Sequence, residues 1–482
     1  MRFAAWLLAL AAALAPRAFA QSPAVVQSLP DLGSAENILS PSMERRLGEQ
    51  IMREIRFADP SYVDDPEISD YLAQIGSRLT GPRQDFEFFA IRDQSINAFA
   101  LPGGFVGVHT GLITTAETES ELASVLAHEV SHVTQRHIAR MLAQQQQMQM
   151  PMMVALAAAI LLGRSRPDLA VGAAAGAQAA GVQAQLAYSR DFEREADRIG
   201  IQRLEDAGFD VHAMPAFFER MQRANRVSED STMPGYFRTH PVTSERIADV
   251  QNKAASMPYR QHPDSPEFQL VRAKLRAEQG DARDAVRHFQ TTLGEHRYSS
   301  ETAARLGLAY ALLRADRLPE AQAQVAQLRA LGAASPMIEM LDARTRHAAN
   351  KDVSSAAELL AKARDRYPAW RALSYAYIAG LQEMGKNDEA IATTREAVAR
   401  YPRDARLYGM QAKIYAMLGK RLLQHQAQAE VYVLQGSLPA AIEQLSLARA
   451  AGDGDFYQLS VVDARLKELR TQYTQEMKEA KR

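Results

Sequence analysis

The chain is 482 residues long, 47% hydrophobic and 23% charged, which allows about three folding units with real cores at roughly 150 residues each. Its 56 Lys and Arg against 57 Asp and Glu leave a formal net charge of -1; that balance argues against a nucleic-acid partner, because such binders carry a basic excess. There is no cysteine, so thiol catalysis, thiolate metal sites and disulfide exchange are excluded, and any metal must be held by histidine and carboxylate.

Arg2, the twelve apolar residues Ala4–Ala15 and then Ala18-Phe19-Ala20 fit a signal peptide over 1–20, cleaved after Ala20. The apolar run is too short to cross a ~30 Å hydrocarbon core. Gln21 would then lead the mature chain, which excludes a lipid-anchored cysteine and points to a periplasmic protein. Residues 21–40 contain Ser, Pro and Gly without helical periodicity, an extended lead-in.

Residues 41–255 are mixed in pattern. Three-four spacing predicts helices over Met43–Ile55 and Ile68–Leu79. Phe86–Ile91 and Phe105–His109 have strand composition, with Pro102-Gly103-Gly104 as the turn before the second. A long helix is expected from Ser120 to about Gln144, opened by Thr118-Glu119-Ser120-Glu121. Residues 141–187 are rich in Met, Gln and Ala. They read first as a buried helical hairpin with a Gln-rich tip, and alternatively as an adaptable surface that touches membrane or an unfolded client. No span of about twenty apolar residues follows the signal, which disfavours a membrane-embedded protein.

From 265 to 482 the chain is helix-forming and repeats. Gly280/Ala285, Asp316/Ala321, Asp352/Ala357, Gly385/Ala390 and Gly436/Ala441 each set a turn residue five positions before an alanine. The first four alanines are 36, 36 and 33 residues apart, and the last interval of 51 suggests an irregular insertion. A period near 34 with a small residue at a helix contact is the pattern of tetratricopeptide repeats. Such a solenoid offers a concave face to a peptide or protein.

The chemistry is concentrated in His128-Glu129-Val130-Ser131-His132. Four helical positions rotate the chain by about 400°, so both imidazoles share one face, one turn apart. Two neutral imidazoles suit Zn²⁺, which needs one more protein ligand and an open position for catalysis. Glu129 points too far round to be the natural third ligand but can reach a water at the site. A second helix carries Glu193 and Asp197 one turn apart on one face. A carboxylate there could complete the site, while the other accepts the second N–H of a ligand histidine and fixes its tautomer. Glu195 reads as a surface charge, and Asp191 as a surface charge or a cap.

These residues resemble a known group. His128-Glu129-x-x-His132, followed by Glu193-x-x-x-Asp197 inside Ser-Arg-x-x-Glu-x-x-Ala-Asp, is similar to the zinc metallopeptidases that include the CAAX prenyl protease, HtpX and the mitochondrial Oma-type enzymes. Asn97-Ala98-Phe99-Ala100-x-Pro102-Gly103-Gly104 and Phe105–Thr110 match that family's strand leading into the active site. The signal peptide and the repeats narrow the resemblance to the periplasmic β-barrel assembly-enhancing, BepA-type branch. The resemblance implies an α+β, mostly α architecture: a gluzincin-like domain with a small sheet, then an α-solenoid. It implies one Zn²⁺ per subunit on His128, His132 and Glu193, with Glu129 as general base and Asp197 in support. Phe105, Val106, Gly107, Val108 and His109 are expected to form an edge strand that pairs with substrate backbone. His240, in Thr239-His240-Pro241-x-x-x-x-Arg246, is expected near the metal, either as a latch on the open position or as a donor to the oxyanion.

His137 falls 900° round from His128, on the opposite face of a continuous helix, and is not expected to be a ligand. His212, His288, His347 and His425 read as surface or packing residues. The expected function is a periplasmic zinc endopeptidase and chaperone for unfolded or stalled outer-membrane proteins, docking the β-barrel assembly machinery through the repeats, with peripheral membrane contact. Its rival is a non-proteolytic chaperone or adaptor with a latent metal site.

Overall fold

The computed structural model describes residues 39–81, 85–143, 189–227, 236, 240–260 and 262–479. The expected signal peptide, nearly all of the lead-in and most of the Met/Gln/Ala-rich run lie outside the described residues. The described residues are mostly helical, with one small sheet among them.

Helix α1 (Pro41–Ala58) starts at Ser40, whose hydroxyl accepts Met43 N–H, with Pro41 in the first turn. Helix α2 (Pro66–Thr80) is capped by Asp65, ends at Gly81 (φ 73°), and buries Ile68, Tyr71, Leu72, Ile75 and Leu79. Three strands follow, β1 (Glu87–Ile91), β2 (Ala98–Leu101) and β3 (Phe105–His109), in the order β1-β3-β2. β3 pairs in parallel with β1 and antiparallel with β2 across the Gly103-Gly104 turn, where φ is 77° and 97°.

This arrangement corrects the expectation for Phe105–His109. Both edges of β3 are used, and Phe105, Val106 and Val108 are buried, so it is the central strand and cannot take a further strand. Among the described residues β2 pairs with β3 alone and packs against the next long helix. The free edge belongs to Ala98–Leu101.

After the short α3 (Thr110–Thr115) comes α4 (Glu119–Thr134), capped by the Thr118 hydroxyl on Glu121 N–H. It does not run on to Gln144. Gln135 and Arg136 interrupt it, Arg136 at φ 53°, and a separate helix, α5, covers 137–143. The Arg136 guanidinium is drawn back onto Glu44 (3.1 Å) and the carbonyl of Leu39, which fixes the break. Helices α6 (189–206), α7 (Ala213–Val227) and α8 (Ser244–Ala255) complete this half.

The rest is six antiparallel pairs: α9 (Pro266–Glu278) with α10 (Ala282–Gly294), α11 (Glu301–Arg314) with α12 (Leu318–Ala330), α13 (Pro336–Asn350) with α14 (Val353–Arg366), α15 (Arg371–Glu383) with α16 (Asn387–Arg400), α17 (Ala405–Met417) with α18 (Arg421–Leu434), and α19 (Leu438–Ala450) with α20 (Phe456–Glu479). No insertion breaks the series, because helices starting at 405, 421 and 438 keep the regular pitch. Gly419 makes the same left-handed turn (φ 70°) as Gly385 and Gly436 (both 71°), but Gln424 stands five residues on. The 51-residue interval is one and a half repeats.

The two halves share a core that runs from Val63 and Ile68 to Leu373. The acidic start of α2 meets cations from the first helices of the pairs. Lys274, fully buried in α9, is bonded to Asp65 and Glu67. Tyr310 donates to Glu67 (2.9 Å), Arg371 pairs with Asp70 (2.7 Å) and Arg406 with Asp64 (3.2 Å). Part of the repeat face expected to receive a partner is therefore covered by α2. The linker adds a reciprocal clasp: Asp264 accepts Glu119 N–H (2.7 Å), while the Glu119 carboxylate accepts the N–H (3.2 Å) and hydroxyl (2.5 Å) of Ser265, the cap of α9.

Candidate metal centre

Helix α4 is buried along nearly its whole length, so polar groups on it must be matched by neighbours rather than by water. Helix α6 crosses it closely at Gly200, where a Cβ would lie 3.2 Å from His128 N and 3.3 Å from its Cα. A side chain there would press the backbone of α4 away by a few tenths of an ångström, and the close approach sets the carboxylates of α6 against the histidines of α4. His128 Nε2 and His132 Nε2 are 3.0 Å apart, and each is 3.4 Å from an oxygen of Glu193. From the segment before α8, His240 Nδ1 comes within 2.9 Å of Glu193 and 3.4 Å of His128 Nε2. Its Nε2 stands 3.5 Å from Glu129 Oε1, a buried oxygen that accepts no hydrogen bond among the described residues. The ligand atoms of His128, His132, Glu193 and His240 all lie within 4.8 Å of one another.

The donor set fits a divalent cation. Imidazole nitrogen and carboxylate oxygen are the donors zinc takes. Charge agrees: Glu129, Glu193 and Asp197 are three buried carboxylates, and the buried guanidinium of Arg246 pairs with Glu193 and Asp197. One guanidinium does not balance three carboxylates; in the metal-free site the proton held by His128 makes up part of the deficit, and a doubly charged cation would take that proton's place.

Asp197 lies 2.9 Å from His128 Nδ1, on the side of the ring away from the cluster. Arg246 holds Asp197 with a two-pronged contact (2.7 and 2.8 Å) and reaches Glu193 at 2.8 Å and the carbonyl of Pro241 at 2.8 Å. Burial favours a neutral His128, but the hydrogen bonds to Asp197 and Glu193 outweigh it and the ring is pushed up to about 10. Burial works against ionised Glu193 too, yet contacts with His128, His132 and His240 hold it well below the usual carboxylate range. Asp197 is likewise lowered against burial, by Arg246 and His128. His132 is lowered, chiefly by burial.

Three features of the centre go beyond what the sequence pattern assigns. Arg246 enters that pattern only as the end of a motif, although its place five residues after Pro241 is a usable signal. Tyr236, fully buried, has its ring 5.0 Å from that of His240, and its N–H donates to the carbonyl of Ile96 next to β2. The third is His137. With α4 broken at Arg136, the ring does not point away from the site: its Nδ1 is 2.8 Å from His132 Nδ1, and its Nε2 is 3.3 Å from Glu195. Glu195 is accordingly no plain surface charge, being paired with Arg140 at 2.8 Å as well. Burial, with His132 and Arg140 adding to it, pushes His137 down to about 2, so the ring is neutral. His109 lies outside the cluster, its Nδ1 2.9 Å from the Ser95 hydroxyl. His347 pairs with exposed Glu383 and His425 with Gln444.

Comparison with known proteins follows the same lines. The model of peptidase family M48 matches residues 64–254, which hold His128, Glu129, His132, His137, Glu193, Asp197, His240 and Arg246. The β-barrel assembly-enhancing protease of Escherichia coli K12 is 32% identical over 462 residues, 94% of this chain and 93% of that protein. A Vibrio cholerae protein of the same type is 34% identical over 262 residues, 52% of this chain and 54% of its own length. A tetratricopeptide repeat protein from Parabacteroides merdae is similar to 58% of this chain and covers 99% of its own, at 12% identity and a TM-score of 0.28. Identity that extends over 93% of the Escherichia coli protein, together with the M48 match, shows that the chain belongs to the β-barrel assembly-enhancing proteases, metalloendopeptidases of peptidase family M48.

Proposed function

We propose that the chain is a periplasmic zinc endopeptidase that hydrolyses peptide bonds in misfolded or stalled outer-membrane proteins, with one Zn²⁺ on His128, His132 and Glu193. The observation that carries this is four ligand atoms within 4.8 Å, set among three buried carboxylates and one buried guanidinium. Bound zinc supplies Lewis acidity that polarises a carbonyl and makes water nucleophilic near neutral pH. Glu129, buried beside the cluster but engaged by no ligand histidine, takes the proton from the attacking water and returns it to the leaving amine. Asp197, itself held by Arg246, keeps His128 in the tautomer whose Nε2 lone pair faces the metal. Substrate backbone adds to the free edge of β2, Ala98–Leu101, which would make recognition tolerant of sequence. The repeats, joined to this half by a continuous core, present client or assembly machinery to that edge.

Metal analysis should find one zinc per chain, and a chelator should abolish casein cleavage that added zinc restores. Cleavage that survives complete metal removal sinks the proposal.

His240 supports a resting state close to the rival reading, a chaperone with a latent site. Its Nδ1 is part of the donor cluster and its Nε2 faces Glu129, so it stands where a water and a carbonyl would have to enter. We read it as a latch. His240→Ala should cleave casein several-fold faster than the parent chain; slower cleavage would make it a donor to the oxyanion instead.

A further inference from the structure

The two candidate ligand histidines differ in what stands behind them. Asp197 backs His128 directly, whereas no carboxylate of the described residues touches His132 Nδ1, which meets another histidine. We propose that His137 is a positioning residue for the metal centre: it accepts the Nδ1–H of His132 and passes its own Nε2–H to Glu195. This rests on His132 being a metal ligand.

The proton order follows from the far end. The Glu195 carboxylate, paired with Arg140 at 2.8 Å, can only accept. His137 must therefore carry its proton on Nε2, 3.3 Å from that carboxylate, which leaves a lone pair on Nδ1. That lone pair, 2.8 Å from His132 Nδ1, can be satisfied only by a proton on His132 Nδ1. His132 Nε2 is then free of hydrogen and its lone pair faces His128 and Glu193. Packing locks the ring of His137 in this orientation. It is buried, and it stacks on Phe192 at 4.3 Å and 17°, with Arg140 over the same phenyl ring. Helix α6 thus supports both histidines of α4, through Asp197 directly and through Glu195 by way of His137.

The test is zinc competition against a chromogenic chelator, on the full chain and four variants, with thermal melting of each metal-free form. His137→Phe keeps an aromatic ring to stack on Phe192 but removes the acceptor. It should bind zinc about 10–100-fold more weakly with an unchanged metal-free melting temperature. His137→Gln, whose carboxamide oxygen can accept the same proton, should recover most of that loss. Glu195→Gln, which no longer dictates the direction of the proton chain, should fall about tenfold and carries the test if His137→Phe does not fold. His132→Ala is the reference. A large loss in His132→Ala with none in His137→Phe or Glu195→Gln overturns the relay alone. No loss in His132→Ala overturns the ligand assignment as well.

Discussion

Glu129→Gln should reduce casein cleavage by about two to four orders of magnitude, the usual range for a general base, while the protein still purifies with one zinc. The separation of the two effects follows from position. Glu129 sits on α4 beside His128 but turns its Oε1 to His240 at 3.5 Å, so it is not among the four clustered ligand atoms. Glutamine has the same shape and can still hydrogen-bond, but it cannot take a proton from water. Retention of more than about a tenth of the parent rate would remove Glu129 from the role, whatever the zinc content.

Arg246→Met should be the most damaging change for stability. The guanidinium is buried, donates two hydrogen bonds to Asp197 and one to the Pro241 carbonyl, and forms an ion pair with Glu193 at 2.8 Å. Methionine fills much of the volume but leaves two buried carboxylates facing each other without their cation. Removing one partner of such a pair costs about 3–5 kcal/mol. Arg246→Lys should not rescue it fully, since a point charge cannot make the forked contact. In urea unfolding, the metal-free variant should lose more than the zinc-loaded one, because zinc still neutralises Glu193. A midpoint equal to the parent's in both forms would mean that Arg246 is only a surface-like charge.

Local spacing made much of the centre legible. The one-turn separations of His128 from His132 and of Glu193 from Asp197 need only helical geometry, so both pairs could be read without tertiary knowledge. His137 could not. Its position depends on whether α4 continues, and the break at Arg136 is imposed from outside, by Glu44 and Leu39 of a distant segment. The order of the strands was hidden for a similar reason. Phe105–Val108 look like any half-buried strand, and only the parallel partner Glu87–Ile91 makes them central. In the solenoid, the alanine that marks close packing is replaced by Gln424 in one pair, so a pattern keyed on alanine skips from Ala390 to Ala441 and reports a gap that the helices do not have.

The clasp of Glu119, Asp264 and Ser265 ties the first turn of the histidine-bearing helix to the first turn of the repeat array. Swinging the array as a rigid arm would strip partners from backbone amides at both helix origins at once. The first turn of the array and the base of α4, about 14 Å along its axis from His128, are therefore held as one piece, so that neither helix origin can shift without the other.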